Sequence, residues 1–211
     1  MPIFEFNKPE TFQLAIDKAW EDLAKLDLKA IEENAKVTFD ENMKKFRIPV
    51  LGEEYVISLN DKKIENPGET ADEHIFGAMT VLVLHYLINA KSKTLRNKLI
   101  SYRELPDGMV FYNAFRSIAI EPIAREFGDD LDKFEEKAKV GILNGQKVKL
   151  GEIAFEFKIF PRVPVTYILW GGDEEIAASA NILFDESASE HLHTEDLAEV
   201  GEVITHLLIH S

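Results

Sequence analysis

The sequence predicts an α+β fold, a single domain over residues 1–211 in which helices pack on a mainly antiparallel β-sheet. Three observations carry this expectation. Apolar residues recur at helical spacing near both ends of the chain and in its middle, they alternate with a period of two after Val148, and breakers such as Pro106-Asp107-Gly108 and Asn144-Gly145 separate the two regimes. With 211 residues, 45% of them hydrophobic, the chain can bury a core without covalent staples.

The elements follow in order. Asn7 is placed to cap a first helix entered through Pro9, whose Phe12, Ile16, Ala19, Trp20 and Leu23 share one face. Two apolar runs around Leu51-Gly52-Glu53-Glu54 predict a hairpin, Asp61 starts a further turn, and Lys62 to Asn66 offers a third strand before Asn66-Pro67-Gly68 breaks the pattern. The segment from Ala71 to Ala90 is apolar nearly all round, with Asp72 and Glu73 suited to a helix N-terminus, so it predicts a buried central helix. A further helix runs from Met109 to Phe127, kinked or split by Pro122, and a short charged one from Leu131 to Val140. Ile153, Phe155, Phe157 and Ile159 then face one side of a strand, with Glu156 and Lys158 on the other. Val165–Trp170 predicts an inner strand, Ala180–Phe184 a short third one, and Thr194 the cap of a terminal helix.

Composition excludes several functions. There is no cysteine, which removes disulfides, thiolate metal sites and cysteine nucleophiles and fits a reducing cytoplasm. No basic leader and no run of eighteen apolar residues occur, so the expected protein is cytoplasmic, without a membrane partner. The formal charge of -14 argues against nucleic acid, since phosphate neutralisation needs a basic face. After Arg162 there are ten acids and no Lys or Arg, so the last quarter holds about -10 of that charge. Such a segment is either a solvated surface or a field that attracts a metal ion or a basic protein partner.

Candidate sites arise at three places. In Leu169-Trp170-Gly171-Gly172-Asp173-Glu174-Glu175, the glycines let the backbone turn and the acids project together, either as oxygen ligands for a divalent metal or as a capped, solvated turn. Because the acidic turns flank strands expected to be neighbours, Trp170, Asp173, Glu174, Glu175, Asp185, Glu195 and Asp196 are expected to converge. Arg162, held between Pro161 and Pro164, is positioned to pair with Asp173, Asp185 or a ligand carboxylate. His85, followed by Tyr86 in the apolar helix, is either a satisfied core residue or the axial nitrogen for a tetrapyrrole. His191 and His193 with Glu195 form a two-His, one-carboxylate spacing, whereas His206 and His210 suit a helix C-terminus. No nucleophile elbow and no phosphate-binding glycine loop occur.

Taken together, Pro161-Arg162-x-Pro164 leading to Trp170, the Gly172-Asp173-Glu174-Glu175 turn, Leu183-Phe184-Asp185 and Glu195-Asp196 resemble an uncharacterised prokaryotic family, domain of unknown function 3786. The resemblance covers nearly the whole chain and departs at Ile176-Ala177, His191 and His193, where the family pattern has Phe-Pro, Tyr and Pro. It implies a setting in anaerobes and archaea, near corrinoid and one-carbon proteins, with iron–sulfur domains appended in some relatives. It implies no activity. The expected function is binding or handling of a small molecule or metallocofactor, with His85, Tyr86, Arg162 and Trp170 at the cofactor. The alternatives are a metal-dependent enzyme using Asp173, Glu174, Glu175, Asp185, Glu195 and Asp196, and an acidic module docking a basic partner.

Overall fold

A computed structural model describes residues 9–65 and 73–210, with side chains of the first helix from Phe12 onward. The expectations for Asn7, Asn66-Pro67-Gly68 and Asp72 lie outside the described residues. The architecture is α+β, with two antiparallel sheets and helices around one continuous core.

Helix α1 (Pro9–Leu23) lays Ala19, Trp20 and Leu23 into that core. Helix α2 (Leu28–Ala35), which the apolar spacing did not announce, is capped by Asp27 and ends on Lys36 in the left-handed conformation. Strands β1 (Thr38–Asp40), β2 (Lys45–Val50), β3 (Glu53–Ser58) and β4 (Lys63–Glu65) form a meander, and the expected hairpin turns at Leu51-Gly52 between β2 and β3.

Helix α3 (Glu73–Asn89) is the buried centre, packed between α1 and α7. Strand β5 (Leu99–Ser101) leads through a 3-10 turn into α4 (Gly108–Phe115), a π-helical segment (Arg116–Ile120) and α5 (Glu121–Phe127). The split sits where Pro122 was expected to impose it: proline has no N–H to donate and crowds the preceding turn, and the wider π turn takes up the mismatch.

Helix α6 (Leu131–Lys139) precedes β6 (Gln146–Val148), β7 (Ile153–Phe160), β8 (Val163–Trp170) and β9 (Ser179–Asp185). Their order is β5-β9-β8-β7-β6, so β8 is the middle strand, buried along all but its last residue, as expected of an inner strand from its mostly apolar Val165–Trp170. Helix α7 (Thr194–His210) is tied to this sheet by the Tyr167 hydroxyl of β8, which donates to Gly201 O at 2.8 Å. Thr194 does not cap α7 with its side chain; its hydroxyl donates to Pro106 O at 2.6 Å. Among the described residues no helix is long and apolar enough to cross a membrane.

Candidate functional site

A pocket of about 540 Å³ opens between α1, α3, α4 with its π segment, and α7. Each wall is a stripe at helical spacing. Phe111, Ala114, Phe115 and Ile118 supply the α4 side, Phe12 and Ala15 the α1 side, and Ala78 and Val81 part of α3. The polar groups come from two facing helices, His74 and His85 from α3, and Glu195, Asp196, Glu199 and Glu202 from α7. The volume falls within the range of about 300–1,000 Å³ usual for small-molecule sites.

His85 Nδ1 lies 2.7 Å from Asp196 Oδ1, a contact spanning 111 positions in sequence. That hydrogen bond raises the imidazole pKa above its ordinary value, against the opposing pull of burial. Asp196 is itself buried, and its second oxygen accepts from His193 N at 3.3 Å. With Nδ1 committed, Nε2 of His85 is the nitrogen left for a ligand. Glu199 lies one turn along α7. Burial first, then the charges of Glu202 and Asp196, push its carboxyl up to about 7, and its Oε1 is buried without a hydrogen-bond partner. Burial also raises Glu202, which His74 partly offsets from 3.8 Å. The His74 ring packs on Phe12 at 5.2 Å.

The other expected site residues lie elsewhere. Tyr86 is fully buried on another face of α3, donating to Ala35 O at 2.8 Å and stacked on Phe160, so it does not reach the pocket. Among the described residues Arg162 pairs with no acid; its guanidinium donates to Asn34 O, Lys93 O and Glu33 O at 2.7, 2.6 and 3.2 Å, closing the C-terminal end of α2 onto the loop after α3. Trp170 ends β8, 38% exposed, against Gly151.

The expected convergence of acids does not occur. Asp173 precedes β9 and Asp185 is its last residue, so the length of the strand, roughly 20 Å, lies between them. Asp173 accepts from Glu175 N and Ile176 N, which lower its pKa and make the stretch a capped turn, with Glu174 and Glu175 exposed. Asp185 is buried, and although burial would raise its pKa, hydrogen bonds from Ser187, Arg96 N and Asn97 N hold it lowered. Only Glu195 and Asp196 of the set reach the pocket. Among the described residues no three His, Asp or Glu side chains are grouped so that they could hold a metal ion, which also removes the spacing of His191, His193 and Glu195.

His74, Glu199, Glu202 and the pocket phenylalanines were not singled out by sequence reasoning. The signal was present as spacing: His74 and His85 lie three turns apart on α3, and Glu195, Glu199 and Glu202 follow an i, i+4, i+7 stripe on α7.

The family described as Domain of unknown function (DUF3786) matches residues 27–207. The chain belongs to this family. Three walls of the pocket, α3, α4 and α7, lie almost wholly within the DUF3786 match, whereas Phe12 and Ala15 of α1 precede it. No curated protein and no solved structure matches the chain.

Proposed function

We propose that this DUF3786 protein binds a small organic molecule in the pocket between α1, α3, α4 and α7. The observation that carries this is the pairing of an aromatic-lined cavity with a polar wall whose Glu199 oxygen is buried and unpartnered. Leaving such a group unsatisfied is unfavourable by about 1–3 kcal/mol, and a ligand donor relieves it. Apolar walls with few convergent polar groups are the usual make-up of a small-molecule site.

A second reading keeps His85 as the axial ligand of a tetrapyrrole. It is favoured by one geometry: Nδ1 bound to Asp196 leaves Nε2 available, the arrangement in which a carboxylate orients a metal-binding imidazole. Protein purified from its own host separates the two by native mass spectrometry and absorption. The first reading expects an added organic mass that is lost when Ala114→Trp fills the pocket; the second expects a visible absorption band lost in His85→Ala. A bare chain mass, together with no binding of aromatic fragments by ligand-observed NMR, would sink both.

A further inference from the structure

We infer that the pocket selects an organic cation, a small molecule with an ammonium group held between Glu199 and Glu202 and an apolar body among Phe12, Phe111 and Phe115. This rests on the small-molecule reading and names the ligand's chemical class.

The charge inventory of the walls points this way. Glu195, Asp196, Glu199 and Glu202 line the cavity from α7, and among the described residues no Lys or Arg lines it. From α3 come the imidazoles of His74 and His85; among the described side chains α4, its π segment and α1 present only apolar and aromatic residues there, and Tyr102 adds one buried phenol. The His85 ring is already engaged by Asp196, and His74 lies near Glu202. An anionic ligand would therefore meet four carboxyls with no free strong base to pair with. A neutral ligand would leave Glu199 and Glu202 repelling each other in apolar surroundings.

Reach is the second argument. Residues three apart on a helix hold their Cβ atoms about 5–6 Å from each other, so one ammonium, with three donors, can bridge both carboxyls. Charge-assisted bonds of this kind are roughly twice as strong as neutral ones. The phenylalanine rings favour the same sign of charge, since the ring face attracts cations.

A cation bound at this place favours the ionised forms of Glu199 and Glu202, whose carboxyls the empty pocket holds raised. Binding therefore releases protons at neutral pH, and affinity rises with pH as Glu199 ionises; Asp196, His85 and His74 face the same space and modulate the amount.

The test is calorimetry on the full chain with three probes of one shape: phenethylamine, phenethyl alcohol and hydrocinnamate. Phenethylamine is expected to bind at least about tenfold tighter than the alcohol, with hydrocinnamate weakest. Its heat should vary with the buffer's ionisation enthalpy in the sense of proton release. Glu199→Gln and Glu202→Gln, each checked for a cooperative melt, should bring amine and alcohol to within about twofold of each other. Two variants are used so that a failure of either to fold leaves the other. If the alcohol or hydrocinnamate binds as tightly as the amine, the cation inference is overturned while the small-molecule reading stands. If no probe binds and the native mass is bare, both fall.

Discussion

One oxygen of Asp196 governs the imidazole of His85, and removing its charge should be visible first on that ring, with a smaller fall at Glu199, which the same charge helps to raise. Asp196→Asn keeps the shape but withdraws the hydrogen bond that is the largest cause of the raised pKa, so the burial that opposes it prevails. In an NMR titration His85 should titrate above the ordinary 6.5 in the wild type and at or below it in the variant. Equal titration curves would mean that the pair does not form in solution. His85→Ala divides the roles: loss of ligand binding with a near-normal melt places the ring at the ligand, and a lower melt with unchanged binding leaves it structural. His85, Glu195 and Asp196 were legible because a polar residue on an apolar helix and acids in a first turn stand out in sequence. Tyr86 was misplaced because adjacent helical residues point about 100° apart, so it cannot share the face of His85. Asp173 and Asp185 were expected to converge because their turns flank neighbouring strands, yet one precedes β9 and the other ends it, and extended chain carries its two ends apart.

At the scale of elements, two contacts hold the scaffold of the pocket. Arg162 binds three carbonyls with one planar fork, two of them at the C-terminal end of α2, where Asn34 O receives its Nε and Glu33 O, which also accepts from Lys36 N, receives one of its terminal nitrogens. A lysine retains the charge but reaches fewer of them, so Arg162→Lys should lower stability by roughly 1–3 kcal/mol in urea unfolding, at any salt concentration. An unchanged midpoint would show that the fork is dispensable. Gly201 lets α7 approach α4: a Cβ there would lie 2.5 Å from Phe115 Cε2, and Phe115 is fully buried and stacked on Tyr102 at 4.1 Å. Gly201→Ala should therefore destabilise by about 1–3 kcal/mol and weaken ligand binding, because Phe115 and Tyr102 both line the pocket. Long periodic elements such as α3, β7 and α7 were readable from spacing, and the split at Pro122 from the chemistry of proline. Strands β1, β5 and β6 were not, since three residues carry no period and their pairing is decided by the neighbour each finds, as Leu99–Ser101 does on β9.

Over the whole molecule, the acidic last quarter is not one field. Asp173 to Glu175 sit on an exposed turn, Glu186 and Glu190 are paired with Lys93, Arg96 and Lys98, and Glu195 to Glu202 face the pocket. Stability against pH reflects buried groups that pull in opposite directions. His191 is fully buried, and burial first, then the charge of Arg162, lowers it to about 4 from an ordinary 6.5. A depressed folded pKa means that its contribution is complete above 6.5 and is lost as pH falls toward 4. Glu199 is raised to about 7 from 4.5, so its contribution is complete below 4.5 and is lost as pH rises through 7, with Glu202 acting in the same sense. Each effect is worth roughly 2–3 kcal/mol at full extent, less for Glu199 because it is partly exposed. Between about pH 4.5 and 6.5 they nearly cancel, which predicts a flat profile there in the wild type. Above 6.5 the profile falls as His85, whose folded pKa is raised, loses its proton, and at the acid end it falls as Asp185, lowered from 3.8, is forced to take one up. Single variants should expose the hidden slopes. Glu199→Gln should rise in stability across that window, and His191→Asn, which keeps an acceptor for Lys91 N, should fall across it. Urea unfolding at several pH values measures both, and two variant profiles parallel to the wild type would show that neither group is held in its unusual state.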